Sequence, residues 1–160
     1  MAMVELLHVV AYRSELASRL EARTEEMVDS ISSVLFAKLH AFEQFGHADQ
    51  VETFRAGLRR LAHGFIRFVA DGTHLTDSEL ASFNLTGIQR ARQGLSIRDV
   101  EDSLAVSMEV LWRFVRDAVE VAPIPPVAAR AVAELAMEAP GFTGEVRDAV
   151  LAGYSAEREE

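Results

Sequence analysis

The chain has no cysteine among its 160 residues. That excludes thiol nucleophiles, thiolate metal centres and a disulfide framework together. It suits a reducing compartment, and a cytoplasmic location is the expectation. Lysine is almost missing, with Lys38 the only one among 16 basic residues, a bias that reads as genome composition. Only four prolines occur, and the first 45 residues hold neither proline nor glycine. No apolar run approaches the ~20 residues of a membrane span. No N-terminal stretch joins a basic flank, an apolar core and a small-residue cleavage site, so secretion is not expected. A basic half is missing too. The net charge is −9 from 25 acids, divided almost evenly along the chain, so the electrostatic footprint of a nucleic-acid binder is lacking. What is present is ordinary for a globular domain, 49% hydrophobic and 26% charged residues. This length supports one domain over 1–160 with a core that needs no staple.

Apolar residues recur at three- and four-residue steps, and no period-two alternation competes with them. The glycine-free start predicts two helices, about 3–22 and 24–45. Thr24 with Glu25 and Glu26 marks the restart, because a hydroxyl caps free N–H groups and acids suit a first turn. Gly46 ends that stretch. Asp49 opens a third helix whose face carries Val51, Phe54, Leu58, Leu61, Phe65 and Phe68, and Asp71-Gly72 closes it. Thr76-Asp77-Ser78-Glu79 is a capping box for a fourth helix ending at Gly94. Ser96 and Asp99 then start a long central helix, about 97–121, with Ile97, Val100, Leu104, Met108, Leu111, Val115 and Val119 on one face. Pro123, Pro125 and Pro126 end it and lead into a sixth helix over about 126–139. Pro140-Gly141 predicts a break before a shorter helix around 143–157, with a linker to a C-terminal output domain after 157. The fold class is all-α, a single helical bundle of five to seven helices.

Two resemblances fall on the central segment. Ser96-Ile97-Arg98-Asp99-Val100 with Ala105-Val106-Ser107 resembles the helix-turn-helix of LacI-type repressors, which makes DNA binding through residues 96–115 the alternative function. Glu101 stands where that motif buries a small residue, and Ala105 stands where its turn has glycine. The apolar face also stays in phase through the supposed turn, and Asp99, Glu101, Asp102 and Glu109 would face phosphates. The second resemblance covers about 15–155 and centres on residues 89–112, QRARQGLSIRDVEDSLAVSMEVLW. Arg90-Ala91, Gly94, Ile97, Asp99 and Trp112 resemble the signature of the RsbRD-type N-terminal regulatory domain. The family implies an all-helical, non-enzymatic sensor or dimerisation module ahead of an output domain. That domain is often the helix-turn-helix of PucR- or CdaR-like transcriptional regulators, so DNA would be met only through a separate domain. This chain departs mid-helix, reading Ser103-Leu104-Ala105, Ser107 and Glu109 where many members read Ala-Tyr-Arg followed by a small residue and another arginine.

The remaining candidates are sparse. His8, His40, His47, His63 and His74 make neither a zinc pattern nor a buried haem ligand, and His63 points away from the apolar face. No phosphate loop, nucleophile elbow or kinase set occurs, so no cofactor and no catalytic residue is assigned. Arg55, Arg59 and Arg60 form one basic cluster, a candidate contact for an anion or a partner's acids. Leu104, Met108, Leu111 and Trp112 give the central helix more apolar width than one face needs, which predicts a homodimer or a pocket surface for an unidentified small effector.

Overall fold

The computed structural model describes residues 2–40, 42, 48–72, 74–119 and 125–159, with nothing said of the Ala48 side chain. The described residues form six helices: α1 Met3–Glu21, α2 Thr24–Lys38, α3 Ala48–Asp71, α4 Asp77–Arg92, α5 Ile97–Val119 and α6 Pro126–Glu159. They surround one core in which Leu16, Leu20, Met27, Ile31, Leu35, Phe54, Phe65, Phe68 and Leu111 are fully enclosed.

Helix starts follow the sequence cues in most places. The Thr76 hydroxyl accepts from Glu79 N at 3.1 Å while the Glu79 carboxylate accepts from Thr76 N at 2.9 Å, the reciprocal capping box. Ser96 Oγ accepts from Asp99 N at 3.1 Å and opens α5. Pro125 and Pro126 precede and begin α6, where the missing donor costs nothing. Thr24 acts otherwise than expected. A new helix does begin there, but its hydroxyl donates to the Glu21 carbonyl at 2.8 Å and closes the end of α1. α2 stops at Lys38, short of 45, and Phe42 lies beyond it fully buried. The ends assigned to Gly46 and Pro123 lie outside the described residues.

The break expected at Pro140-Gly141 does not form. α6 runs unbroken for 34 residues with Pro140 inside it. A helix-interior proline costs roughly 3 kcal/mol, but here Pro140 and Ala136, whose carbonyl loses its donor, both face solvent. Water can satisfy that carbonyl. Leu135, Phe142 and Val146 stay in phase on the buried side, and Phe142 stacks on Phe68 with centroids 4.6 Å apart. Burial on both sides of the proline keeps the helix continuous.

α5 is also uninterrupted from Ile97 to Val119. The helix-turn-helix alternative at 96–115 therefore has no turn and no second helix, as the unbroken phase of its apolar face required. Glu101 remains at the surface, beside Arg147 at 3.4 Å.

α4 and α6 make the most intimate contact in the molecule. A Cβ added to Gly87 would lie 1.8 Å from the Val150 carbonyl oxygen, and one added to Gly153 would lie 2.0 Å from that of Asn84. The two backbones meet where neither helix has a side chain. Such a glycine costs each helix about 1 kcal/mol relative to alanine, a cost accepted only where the approach demands it.

Candidate functional site

The family-like segment spans the junction between α4 and α5. Gly94 takes φ +81, a conformation open to glycine. It lets the Leu95 amide return to the Arg90 carbonyl at 3.2 Å and its own amide to Ala91 at 3.0 Å, closing α4 in a Schellman-like turn. The Tyr154 hydroxyl donates to the Leu95 carbonyl at 2.7 Å and pins that turn to α6. Asp99 caps α5 with Ser96, whereas Ile97 stands nearly half exposed. Trp112 meets Phe65 and Phe68 edge-on, with centroids 5.4 and 6.4 Å away. Gly94, Ser96 and Asp99 shape the turn from α4 into α5 while Trp112 packs on α3, so these residues do not converge on one point.

Arg90 is the exception, because its side chain enters the interior. Only 4% of the residue is exposed. One guanidinium nitrogen donates to the Phe54 carbonyl at 3.2 Å and another to Gln93 Oε1 at 3.1 Å. The group also lies over the Phe54 ring, 4.9 Å from its centroid. Gly57 makes the room: a Cβ there would sit 2.5 Å from an Arg90 nitrogen. Beneath the guanidinium is a cavity of about 20 Å³ that reaches Leu104, Ser103 and Ser107 of α5 and Thr86 of α4. Both serines are buried and donate back to their own helix, Ser103 to Val100 at 2.7 Å and Ser107 to Ser103 at 2.6 Å. Burial pushes the Arg90 guanidinium down to about 10, with repulsion from Arg60 adding to it, so it stays charged at neutral pH.

The basic cluster read from sequence separates in space. Arg55 pairs with Asp29 at 2.7 Å, and Arg59 pairs with Glu25 at 2.9 Å and Glu52 at 3.1 Å. These two arginines already have carboxylates from α2 and their own helix, so they are not free to grip an external anion. Arg60 turns the other way, toward Thr86 Oγ1 at 3.4 Å and Gln89 Oε1 at 3.2 Å. The surplus apolar width of α5 is likewise consumed within the chain. Leu111 is fully buried and Met108 nearly so, Leu104 lines the cavity, and Trp112 packs on α3.

Residues 21–160 match the RsbT co-antagonist protein rsbRD N-terminal domain. The chain belongs to this family. No curated protein and no solved structure matches it. The RsbRD N-terminal domain is a regulatory domain family, and its match begins at the end of α1 and takes in all of α2 to α6. Among the described residues no helix is long and apolar enough to cross a membrane, and no group of three or more metal-ligating side chains occurs.

Two further sites went unsingled in the sequence. Arg13, 5% exposed, donates to the Val69 and Phe68 carbonyls at 2.9 and 3.0 Å and pairs with Glu138 at 2.8 Å. It thereby joins α1, the C-terminal end of α3, and α6. His74 contacts Glu145, whose other oxygen accepts from Leu75 N at 2.9 Å and ties the α3–α4 connection to α6. The hydrogen bond to Glu145 raises the His74 pKa above its ordinary 6.5, and the same bond lowers Glu145 below 4.5. The His74 contribution to stability is therefore complete below pH 6.5 and is lost as pH rises through the raised folded value. On the acid side the same contact is lost as pH falls through the lowered Glu145 value, so its contribution is complete between pH 4.5 and 6.5. NMR titration of the His74 ring should give a midpoint above 6.5 that returns toward it in Glu145→Gln. An unchanged midpoint in that variant would mean the contact is not populated in solution.

Proposed function

We propose that this RsbRD N-terminal domain is a non-enzymatic sensory and dimerisation module ahead of an output domain, in the manner of a transcriptional regulator that meets DNA only through that second domain. The observation that carries the reading is the family match over residues 21–160, because a regulatory N-terminal domain acts on something that follows it. The helix packing offers a route. α6 is about 50 Å long at 1.5 Å per residue and touches α1, α4 and α5. A change of packing around the α3–α4–α5 cavity would move α4, and the glycine contact would carry that movement to α6.

The proposed dimer uses α1, since Met108 and Leu111 of α5 are buried within the chain and Trp112 packs on α3. Met3, Val4, Leu6, Leu7 and Val10 are 42–69% exposed on its first two turns. We assign this face to a second copy of the chain. Five half-exposed apolar side chains amount to several hundred Å² per copy, and the polar residues around them would supply the rest of the roughly 600 Å² that a specific pair buries on each side. Burial of that size also accounts for leaving so much leucine, valine and methionine together in water.

One experiment on the native gene product tests both halves. A denaturing immunoblot should show a chain well above 17.6 kDa, and gel filtration with light scattering should give twice that chain's mass. A band at 17.6 kDa would remove the output domain in the same chain. A native mass equal to one chain would remove the dimer.

A further inference from the structure

Two arginines in this protein are buried to almost the same degree, and they are treated in opposite ways. Arg13 meets the carboxylates of Glu138 and, at 3.6 Å, Glu134. Arg90 has no carboxylate partner among the described residues, and neither has its neighbour Arg60. Further along the α3–α4 seam Arg67 pairs with Glu79 at 2.8 Å, but at this point two positive charges lie without a carboxylate among the described residues, inside a chain whose net charge is −9. Buried charges in proteins are paired, because the carbonyl dipoles that replace water do not fully offset desolvation. Three built features surround Arg90: the bare backbone at Gly57, the cavity beneath it, and the buried hydroxyls of Ser103, Ser107 and Thr86. The serine hydroxyls bond their own helix and can rotate their protons toward a guest. The cavity, about 20 Å³, has room for a water or an ion of similar size.

We infer that this cavity is a binding site for a small monovalent anion, a halide or a formate-sized carboxylate, which supplies the missing counter-charge of Arg90 from solution. The anion sits against the guanidinium, with the serine and threonine hydroxyls turned to donate to it and Leu104 closing the apolar side. Occupancy draws α3, α4 and α5 together at the point where their packing meets α6. The site stands whether or not an output domain follows, so its failure would leave the regulatory reading intact.

The test is a titration of the whole chain followed at the arginine Nε–Hε signals by ¹⁵N NMR. Sodium formate and sodium chloride are added in separate series, each exchanged against sodium sulfate at constant ionic strength. We expect a saturable shift of the Arg90 signal with a dissociation constant no tighter than about 0.5 mM for formate and about 0.1 M for chloride, given the ceiling on affinity per heavy atom. Response to formate alone identifies a carboxylate site, to chloride alone a halide site, and to both a general monoanion site. Each supports the inference if the exposed Arg98 signal stays still. The shift should vanish in Gly57→Ala, which displaces the guanidinium. It should weaken at least several-fold in the double variant Ser103→Ala/Ser107→Ala, which keeps Arg90 and its carbonyl ties. No saturable shift with either salt would overturn the inference. So would an undiminished shift in the folded serine double variant, since the built site would then be irrelevant to binding.

Discussion

Replacing Gly87 with alanine should destabilise the domain by about 3 kcal/mol or more, the upper range for overpacking. The added Cβ would stand 1.8 Å from the Val150 carbonyl oxygen and 2.8 Å from the Tyr154 nitrogen. Both are backbone atoms of α6, so no side-chain rotation relieves the overlap and the helices must part. Their separation would also pull the Tyr154 hydroxyl from Leu95 and open the turn that joins α4 to α5. Gly153→Ala should do the same from the other side, through Asn84. Gly144→Ala provides the control. It lies in the same α6 with nothing within 4 Å of the added atom, so the change should be neutral or stabilising by up to about 1 kcal/mol through helix propensity. Denaturant unfolding followed by circular dichroism would read all three. In a domain of this size the loss at Gly87 corresponds to a fall in Tm of roughly 10 °C. A Gly87→Ala variant within about 0.5 kcal/mol of the parent, the scale of an ordinary surface change, would mean α4 and α6 do not approach this closely.

Removing the charge of Arg13 should have a comparable effect. Arg13→Met keeps the length and the apolar stem but strips two hydrogen bonds from the last carbonyls of α3 and leaves Glu138 without its cation. Breaking a buried pair from one side costs about 3–5 kcal/mol. Glu138 keeps more than a third of its side chain in water, so about 3 is the expectation. Glu138→Gln should cost about 1 kcal/mol, because Arg13 retains both carbonyl bonds, which are charge-assisted and carry most of its net worth. Losses of equal size in the two single variants would instead place the energy in the ion pair. The double variant, compared with the two singles in a thermodynamic cycle, isolates the pair itself.

Much of this fold can be read without coordinates because its signals are local. A helix face repeats every three or four residues, and Val51 through Phe68 and Val100 through Val119 needed only that period to be placed on the inside. The Thr76–Glu79 box and the Ser96–Asp99 cap are each completed within four residues, so their geometry follows from their spelling. Gly94 marks a helix end because positive φ is a property of one residue. The segment around Arg90, Gly94 and Trp112 carried the family for the same reason, as a short pattern along the chain.

What misled was also local. Pro140-Gly141 spells a break on every nearest-neighbour rule, and only the burial of Leu135 and Phe142 on either side of it keeps α6 whole. Arg55, Arg59 and Arg60 are adjacent on paper, yet Glu25 and Asp29 of another helix take the first two while Arg60 turns to α4. Glycines at 57, 87 and 153 within helical stretches were the one available hint of close contacts, since mid-helix glycine needs a packing reason. The spacing of residues states that such a reason exists and cannot state which backbone arrives there. The helical class, most helix boundaries, the inward faces and the family were all legible along the chain. That Arg13 finds two carboxylates while Arg90, equally buried, finds none among the described residues follows from the packing of the helices. Counter-charges are assigned by which helices pack together, across separations of 125 residues between Arg13 and Glu138, and no local pattern encodes that choice.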